Sequence, residues 1–404
     1  MSTAVSALER EERWARVAWS LLAEPGSATL VRLLAEHGAV ETLARLRAGR
    51  LDRREGWHAR LHELDADALR HATERQAVHV LVPGDPAWPP ALDRLALPPY
   101  CLFVRGAPDL ALLTERSVAI VGSRAATDYG LTVAGDIADG LVARGWTVVS
   151  GAAYGIDAAS HRAALAADGT TVAVLACGAD RAYPQTHRGL LDAVARTGAV
   201  VSEVPPGCAP FRSRFLARNR IIAALARATV VVEASLRSGS LTTAREARDL
   251  VLPVGAVPGP VTSMASAGCH ALLRETDAVL VTDAAEVAEL AAPIGEHLVP
   301  AGPSLRRGPE DDLDPEAYGV WSALPVREGA GTDRLAAVSG VPVPRLVGVL
   351  AALEAQGLAS REAGRWRKPA ARRAADAGGA SAGAAGGAWP SGRRRGGVRS
   401  SEDG

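Results

Sequence analysis

From Ser117 to about Leu290 the chain repeats one pattern: a short, wholly apolar run that ends in small or turn residues, followed by an amphipathic stretch. The runs are SVAIVGSR, TVVSGAAYGID, TVAVLACG, AVVSEVPPG, TVVVEAS and LPVGAVPG. Segments of helical periodicity lie between them, among them LTVAGDIADGLVARG, AASHRAALAADG and RNRIIAALAR. Strands that are continuously apolar, rather than alternating, are buried on both faces, and strands separated by helices pair in parallel. The pattern therefore predicts an α/β fold with a doubly wound parallel sheet, closed by VLVTDAAEVAEL as its last strand and helix. In such sheets ligands bind beyond the carboxyl ends of the strands.

The flanks read differently. Residues 8–75 space apolar and charged side chains helically, as in WARVAWSLLAEPGSATLVRLLAEHGAVETLARL, with Pro25-Gly26 as a break. A small all-helical domain is expected there. Val80 to Gly106 carries six prolines and reads as an extended connector. A second linker, rich in Pro, Gly and acidic residues, runs from Pro300 to Asp314. From Tyr318 to Lys368 the expected order is three helices, two of them joined by the turn Ser339-Gly340-Val341, then a short hairpin in GLASREAGRWR. That order is a winged helix-turn-helix. Beyond Ala370 the tail has almost no apolar bulk and is expected to be disordered.

A length of 404 residues suggests two or three domains, and 48% hydrophobic residues are ample for a covered sheet. Lys+Arg and Asp+Glu are both 45, so any site for a polyanion must be a local cluster, not a basic coat. Lys368 is the sole lysine, a skew that fits a GC-rich genome and leaves arginine, with its bidentate fork, to meet phosphate. Cys101, Cys177, Cys208 and Cys269 form no CxxC pair, which argues against a zinc site or a disulfide framework. The N-terminal residues lack an apolar signal core, and no stretch reaches the roughly 18 apolar residues of a membrane span. A cytoplasmic protein with no membrane partner is expected.

Four stretches carry candidate chemistry. The first strand ends in Gly122-Ser123-Arg124 with a helix expected near Tyr129; a glycine, a hydroxyl and a charged fork suit a phosphate, although a plain strand-to-helix turn uses the same residues. The second ends in a loop containing Gly151 and Gly155, where Asp157 is expected to cap the next helix. The third is Phe211-Arg212-Ser213-Arg214-Phe215-Leu216-Ala217-Arg218-Asn219-Arg220, with four arginines and two of the chain's three phenylalanines. Arginine beside aromatics suits single-stranded nucleic acid, since the fork binds phosphate and a ring stacks on an exposed base. The fourth, Glu233 to Ala244, sets Ser238, Ser240, Thr242 and Thr243 around Gly239 at a helix start, an anion cradle. The first, second and fourth loops are expected at one edge of the sheet.

Taken in order, VAIVGSR, SGAAYGID, FLARNRII, SGSLTTA and AVPG resemble the bacterial DNA-processing family called DprA or Smf. The resemblance implies a helical domain of SAM or helix-hairpin-helix type (1–78), an extended Rossmann-like domain that includes the proline-rich lead-in (79–295), a linker (296–316), a winged-helix domain (317–369) and a disordered tail (370–404). It also implies single-stranded DNA as ligand, a homodimer, and loading of the RecA recombinase during natural transformation. By resemblance, Gly122, Ser123 and Arg124 hold phosphates; Arg218, Asn219 and Arg220 line the same basic pocket with Phe215 near a base; Ser238, Gly239, Ser240 and Leu241 close its floor. The loop glycines Gly151 and Gly155 join this set. Leu216 stands where the family usually has proline, and Cys269-His270 where many members have Asn; that pair is read as structural.

No catalytic residue, metal or cofactor is implied by this reading. Two others compete. Gly239 to Glu246 has the spacing of the GGxGTxxE motif of nucleotide phosphoribohydrolases of the lysine decarboxylase-like type, where the glutamate and an arginine hydrolyse a nucleoside monophosphate. Here Ser240 and Thr242 replace glycines and would crowd a small nucleotide, and Glu246 is read as a solvated residue in the first turn of its helix. The other competitor is a duplex-DNA regulator acting through the winged helix. Its recognition helix, Pro344 to Gln356, offers only Arg345 as a base-reaching cation, while Arg361, Arg365, Arg367 and Lys368 could bring the wing to phosphates. The Arg393-Arg394-Arg395 cluster in the tail is read as a solvated end.

Overall fold

A computed structural model describes residues 2–52, 55–62, 71, 73–74, 77–293, 312–326 and 328–369, the side chains of residues 2–10 excepted. Residues 1–300 and 301–404 form two compact units. Most of the linker expected over 296–316, and the whole tail expected over 370–404, lie outside the described residues.

The first unit begins with α1 (Ser2–Leu22), α2 (Ala28–Arg47) and the short α3 (Trp57–Leu61). The break falls at Pro25-Gly26, and Ser27 caps α2 by accepting from the Leu30 amide. Trp19 and Trp57 meet edge to face at 5.2 Å, and the Trp19 indole donates to the Ala39 carbonyl at 3.2 Å. These helices are not a separate lobe. Val17 is buried with Phe103, Val200 and Leu191 under the sheet, and Arg13 makes a forked pair with Asp85 at 2.7 and 2.8 Å.

The proline-rich lead-in differs from the connector expected there. It supplies two strands, β1 (Val78–Leu81) and β2 (Leu102–Gly106), separated by a 3-10 turn at Pro90–Arg94 and followed by α4 (Leu110–Thr114). The prolines fall between the strands, where no ladder amide is needed, and Trp88, Leu92 and Leu95 between them are buried in the core. Then come β3 (Ser117–Val121), α5 (Asp128–Val142), β4 (Thr147–Ser150), α6 (Ile156–Ala166), β5 (Thr171–Leu175), α7 (Arg188–Thr197) and β6 (Ala199–Ser202). The second half adds α8 (Arg212–Ala224), β7 (Ala228–Val231), α9 (Ser240–Asp249), β8 (Val254–Ala256), α10 (Ala267–Glu275), β9 (Val279–Leu280) and α11 (Ala284–Ala291).

All nine strands join one sheet in the order β1-β2-β6-β5-β4-β3-β7-β8-β9. The strands from β6 to β9 pair in parallel; β1 and β2 add an antiparallel edge. This is the doubly wound Rossmann-like α/β sheet the strand runs predict. The central strand β3 feeds two cores: Val118 and Ile120 pack with Ile137 and Leu141 on one face, while Ala119 and Val121 pack with Ile221 and Ala244 on the other. Burial on both faces is why the strands read as unbroken apolar runs. The chain winds outward from β3 to β6, then returns to the far side of β3 as β7, so a topological switch point lies between β3 and β7.

The second unit contains α12 (Pro315–Ala323), α13 (Thr332–Ser339), α14 (Val343–Ala355) and the hairpin β10 (Ser360–Glu362) with β11 (Arg365–Arg367). Gly340 ends α13 at φ 73°, a left-handed position that costs glycine nothing. Val320, Leu335, Leu346, Leu350 and Trp366 form its core. Helix, helix, helix and hairpin is the winged-helix order the sequence predicts.

Candidate nucleic-acid interface

The loops after β4, β3 and β7 lie side by side because those strands are neighbours. Backbone bonds knit them: the Ser123 amide donates to the Glu233 carbonyl at 2.7 Å, and the Ile156 amide donates to the Ser123 carbonyl at 3.2 Å. The buried Glu233 carboxylate accepts from the Thr127 amide and hydroxyl at 2.9 and 2.7 Å, fixing the start of α5. Glycines permit this contact. A Cβ on Gly122 would stand 2.5 Å from Ile156, and one on Gly155, which sits at φ +76°, would strike the Ser123 carbonyl. A Cβ on Gly151 would strike the Arg218 guanidinium.

Asp157 does not cap α6. It is the second residue of the helix, and its carboxylate reaches back to accept from the Gly151 and Ala153 amides at 3.2 and 3.3 Å, so it shapes the loop instead. Burial pushes this carboxyl above its ordinary value, and the nearby Arg218 opposes that rise. Arg218 is itself buried, 7% exposed, and donates to the Gly151 and Val174 carbonyls. Burial brings its guanidinium down to about 10, with Asp157 opposing and Arg124 adding to the fall. That is still well above neutrality, so a fixed positive charge stands directly behind the β4 loop.

The arginine-phenylalanine run divides in two. Phe211, Arg212, Ser213 and Leu216 are exposed, whereas Arg218, Asn219 and Arg220 are buried. The reason is helical: α8 starts at Arg212 and drives its later turns, with Ile221 and Ile222, into the core under the sheet. The run is therefore exposed only in its earlier part. Arg220 makes a forked pair with Glu203 at 2.8 and 2.9 Å and also donates to the Leu97 carbonyl at 2.7 Å. Asn219 donates to the Gly239 carbonyl at 3.2 Å, which ties α8 to the hydroxyl loop after β7. Arg214 is paired with Glu24 of the helical region at 2.8 Å.

What reaches solvent at this edge is a compact group. Exposed Arg124 lies over the Phe215 ring at 5.2 Å, and Tyr183, 44% exposed, lies 5.5 Å from the same ring. In the loop after β7, half-buried Ser238 and buried Ser240 share a hydroxyl-to-hydroxyl bond of 2.7 Å at the start of α9, whose first turn has no side-chain cap. Gly239 is exposed and Leu241 half-buried. Tyr183 was not singled out from the sequence; a lone tyrosine before a proline carries no pattern, and only the fold brings it to Phe215.

Glu246 is the seventh residue of α9, not a first-turn residue; it is half-buried, and burial with Asp249 nearby raises its carboxyl. The Cys269 thiol is buried and pushed up to about 12, and His270 bonds the Gly259 carbonyl at 3.0 Å, so both are held within the fold. Among the described residues no cluster of His, Cys, Asp and Glu could hold a metal ion. No single helix among them is long and apolar enough to cross a membrane. In the winged helix, Arg345 is paired with Glu316 at 2.8 Å, Lys368 sits 3.5 Å over Trp321, and Arg367 is paired with Glu362 at 2.9 Å.

The profile of the family described as DNA recombination-mediator protein A matches residues 79–292. A Mycobacterium tuberculosis chain that carries the name DNA processing protein DprA is 45% identical over 368 residues, covering 87% of this chain and 93% of its own length. Protein Smf of Escherichia coli is 38% identical and covers 70% and 75%. Among solved structures, DNA processing protein A of Streptococcus pneumoniae superposes with a TM-score of 0.60 at 33% identity, covering 69% of this chain and 97% of that one.

Proposed function

The chain belongs to the DNA recombination-mediator protein A family, DprA/Smf, and from that premise we propose that it binds single-stranded DNA at the carboxyl edge of β4, β3 and β7. One observation carries the reading: an exposed arginine stacked on an aromatic ring at the switch point, with a second, buried arginine bonded to the carbonyl of Gly151 in the adjacent loop. Phosphate is met by the Arg124 fork and by polar groups of Gly122, Ser123, Ser238, Gly239 and Ser240, with Leu241 at the floor. Arg218 acts through the field it projects past Gly151, and Asn219 by holding the Gly239 loop. Arg220 stays with Glu203. Gly151 and Gly155 let the loops pack closely enough to form one surface.

Phosphate contacts position a strand and stacking tolerates any base, so binding depends weakly on sequence and falls steeply with salt. The same reading gives a cytoplasmic homodimer that protects incoming DNA and loads the RecA recombinase. Two grips on one strand raise affinity through effective concentration. No metal, nucleotide cofactor or catalytic step enters it. Fluorescence anisotropy with labelled poly-dT, with matched duplex as competitor, tests it. Tight binding that duplex fails to displace is expected. Displacement by duplex at equal concentration would assign the DNA contact to the winged helix instead.

A further inference from the structure

Phe215 is half-buried and already has two neighbours, the Arg124 guanidinium at 5.2 Å and the Tyr183 ring at 5.5 Å and 56°. The groups that present a surface outward are those neighbours: Arg124 is exposed, and Tyr183 is 44% exposed. We propose that Tyr183, flanked by the outer face of the Arg124 guanidinium, is the platform on which an unpaired nucleobase stacks, and that Phe215 is the support holding both in place. This rests on the reading that the edge binds single-stranded DNA. Tyr154 is comparably exposed, but its hydroxyl is bonded to Thr186 at 2.9 Å and its ring meets His187 edge to face at 4.9 Å. Tyr183 comes from the β5–α7 connection, a segment outside every motif the sequence reading used. A ring and a planar cation both stack on any base, so the platform selects for an unpaired base and not for a particular one.

The test uses the full-length protein and two labelled strands of equal length, oligo-dT and a strand of abasic sites with the same phosphates. Wild type is expected to prefer oligo-dT by roughly 5- to 100-fold, the range of one stacked base. Tyr183→Leu is expected to remove most of that preference while leaving the salt slope unchanged, because no phosphate contact is lost. Tyr183→Phe, which keeps the ring, is expected to retain it, and Tyr154→Leu to leave it nearly intact. The Tyr183 side chain is exposed, so thermal melts of wild type and the two Tyr183 variants coincide. If Tyr183→Leu keeps the wild-type preference, the platform is elsewhere and the proposal fails while DNA binding stands. Equal wild-type binding to both strands also sinks it, leaving a phosphate-only grip. Wild type that binds neither strand overturns the underlying reading itself.

Discussion

Glu203→Gln isolates what the buried arginines of α8 do. Glu203 and Arg220 are 4% and 6% exposed at their side chains, and the fork between them closes at 2.8 and 2.9 Å. The amide keeps the shape but withdraws the countercharge, leaving a guanidinium in the core with the carbonyls of Leu97 and Ala217. Removing one member of a buried pair costs about 3–5 kcal/mol. For a unit this large that shifts a urea midpoint down by on the order of 1 M. Replacing both partners with apolar residues, Glu203→Leu with Arg220→Met, should recover most of the loss, because the charges no longer need solvation. The same double variant, assayed below its unfolding transition, should hold a single strand about as well as wild type. Unchanged unfolding of Glu203→Gln would refute the structural role. Loss of strand binding in the stable double variant would return Arg220 to the contact surface.

Gly155→Ala forces a side chain onto φ +76° and against the Ser123 carbonyl; a loss of about 1–3 kcal/mol in denaturant titration is expected, with weaker strand binding as the β3 and β4 loops separate. Buried His161 is held down to about 3 by desolvation, against 6.5 when unfolded. Acid therefore protonates the unfolded chain first, so its contribution is complete above about pH 6.5 and drains by about 1.4 kcal/mol per pH unit as the pH falls toward 3; stability curves for wild type and His161→Asn should differ in slope within that window and run parallel above it. Thiol labelling with Ellman's reagent should reach half-buried Cys208 first, since Cys101 and Cys269 are buried and pushed up to about 12 and Cys177 to about 11.

Strands β3 to β8 were legible because each is buried on both faces, which writes its apolar run plainly into the sequence. Prolines hid β1 and β2: breakers fill the stretch between VHVL and LFVRG, and the strands are made by pairing with each other and, for β2, with β6. The candidate loops were legible as small and hydroxyl-rich strand ends. What each residue does within them was not. Asp157 reads as a cap until Gly151 and Ala153 are folded back over it. Arg218 and Arg220 read as the lining of a basic pocket; their burial was not legible, because the groups that make it tolerable, Asp157 and Glu203, lie in other elements of the fold. Tyr183 was invisible for the same reason, its partner Phe215 belonging to a different helix.

The central claim is that Arg124 grips a single strand at the switch point, and a salt series on Arg124→Ala tests it most directly. Arg124 is exposed, so the substitution leaves the fold and the thermal melt unchanged. Anisotropy with labelled poly-dT should show weaker binding, with the slope of log K against log salt shallower by about 0.7, the share of one phosphate contact on a single strand. An affinity and a slope equal to wild type would contradict the account and move the DNA site off this edge of the sheet.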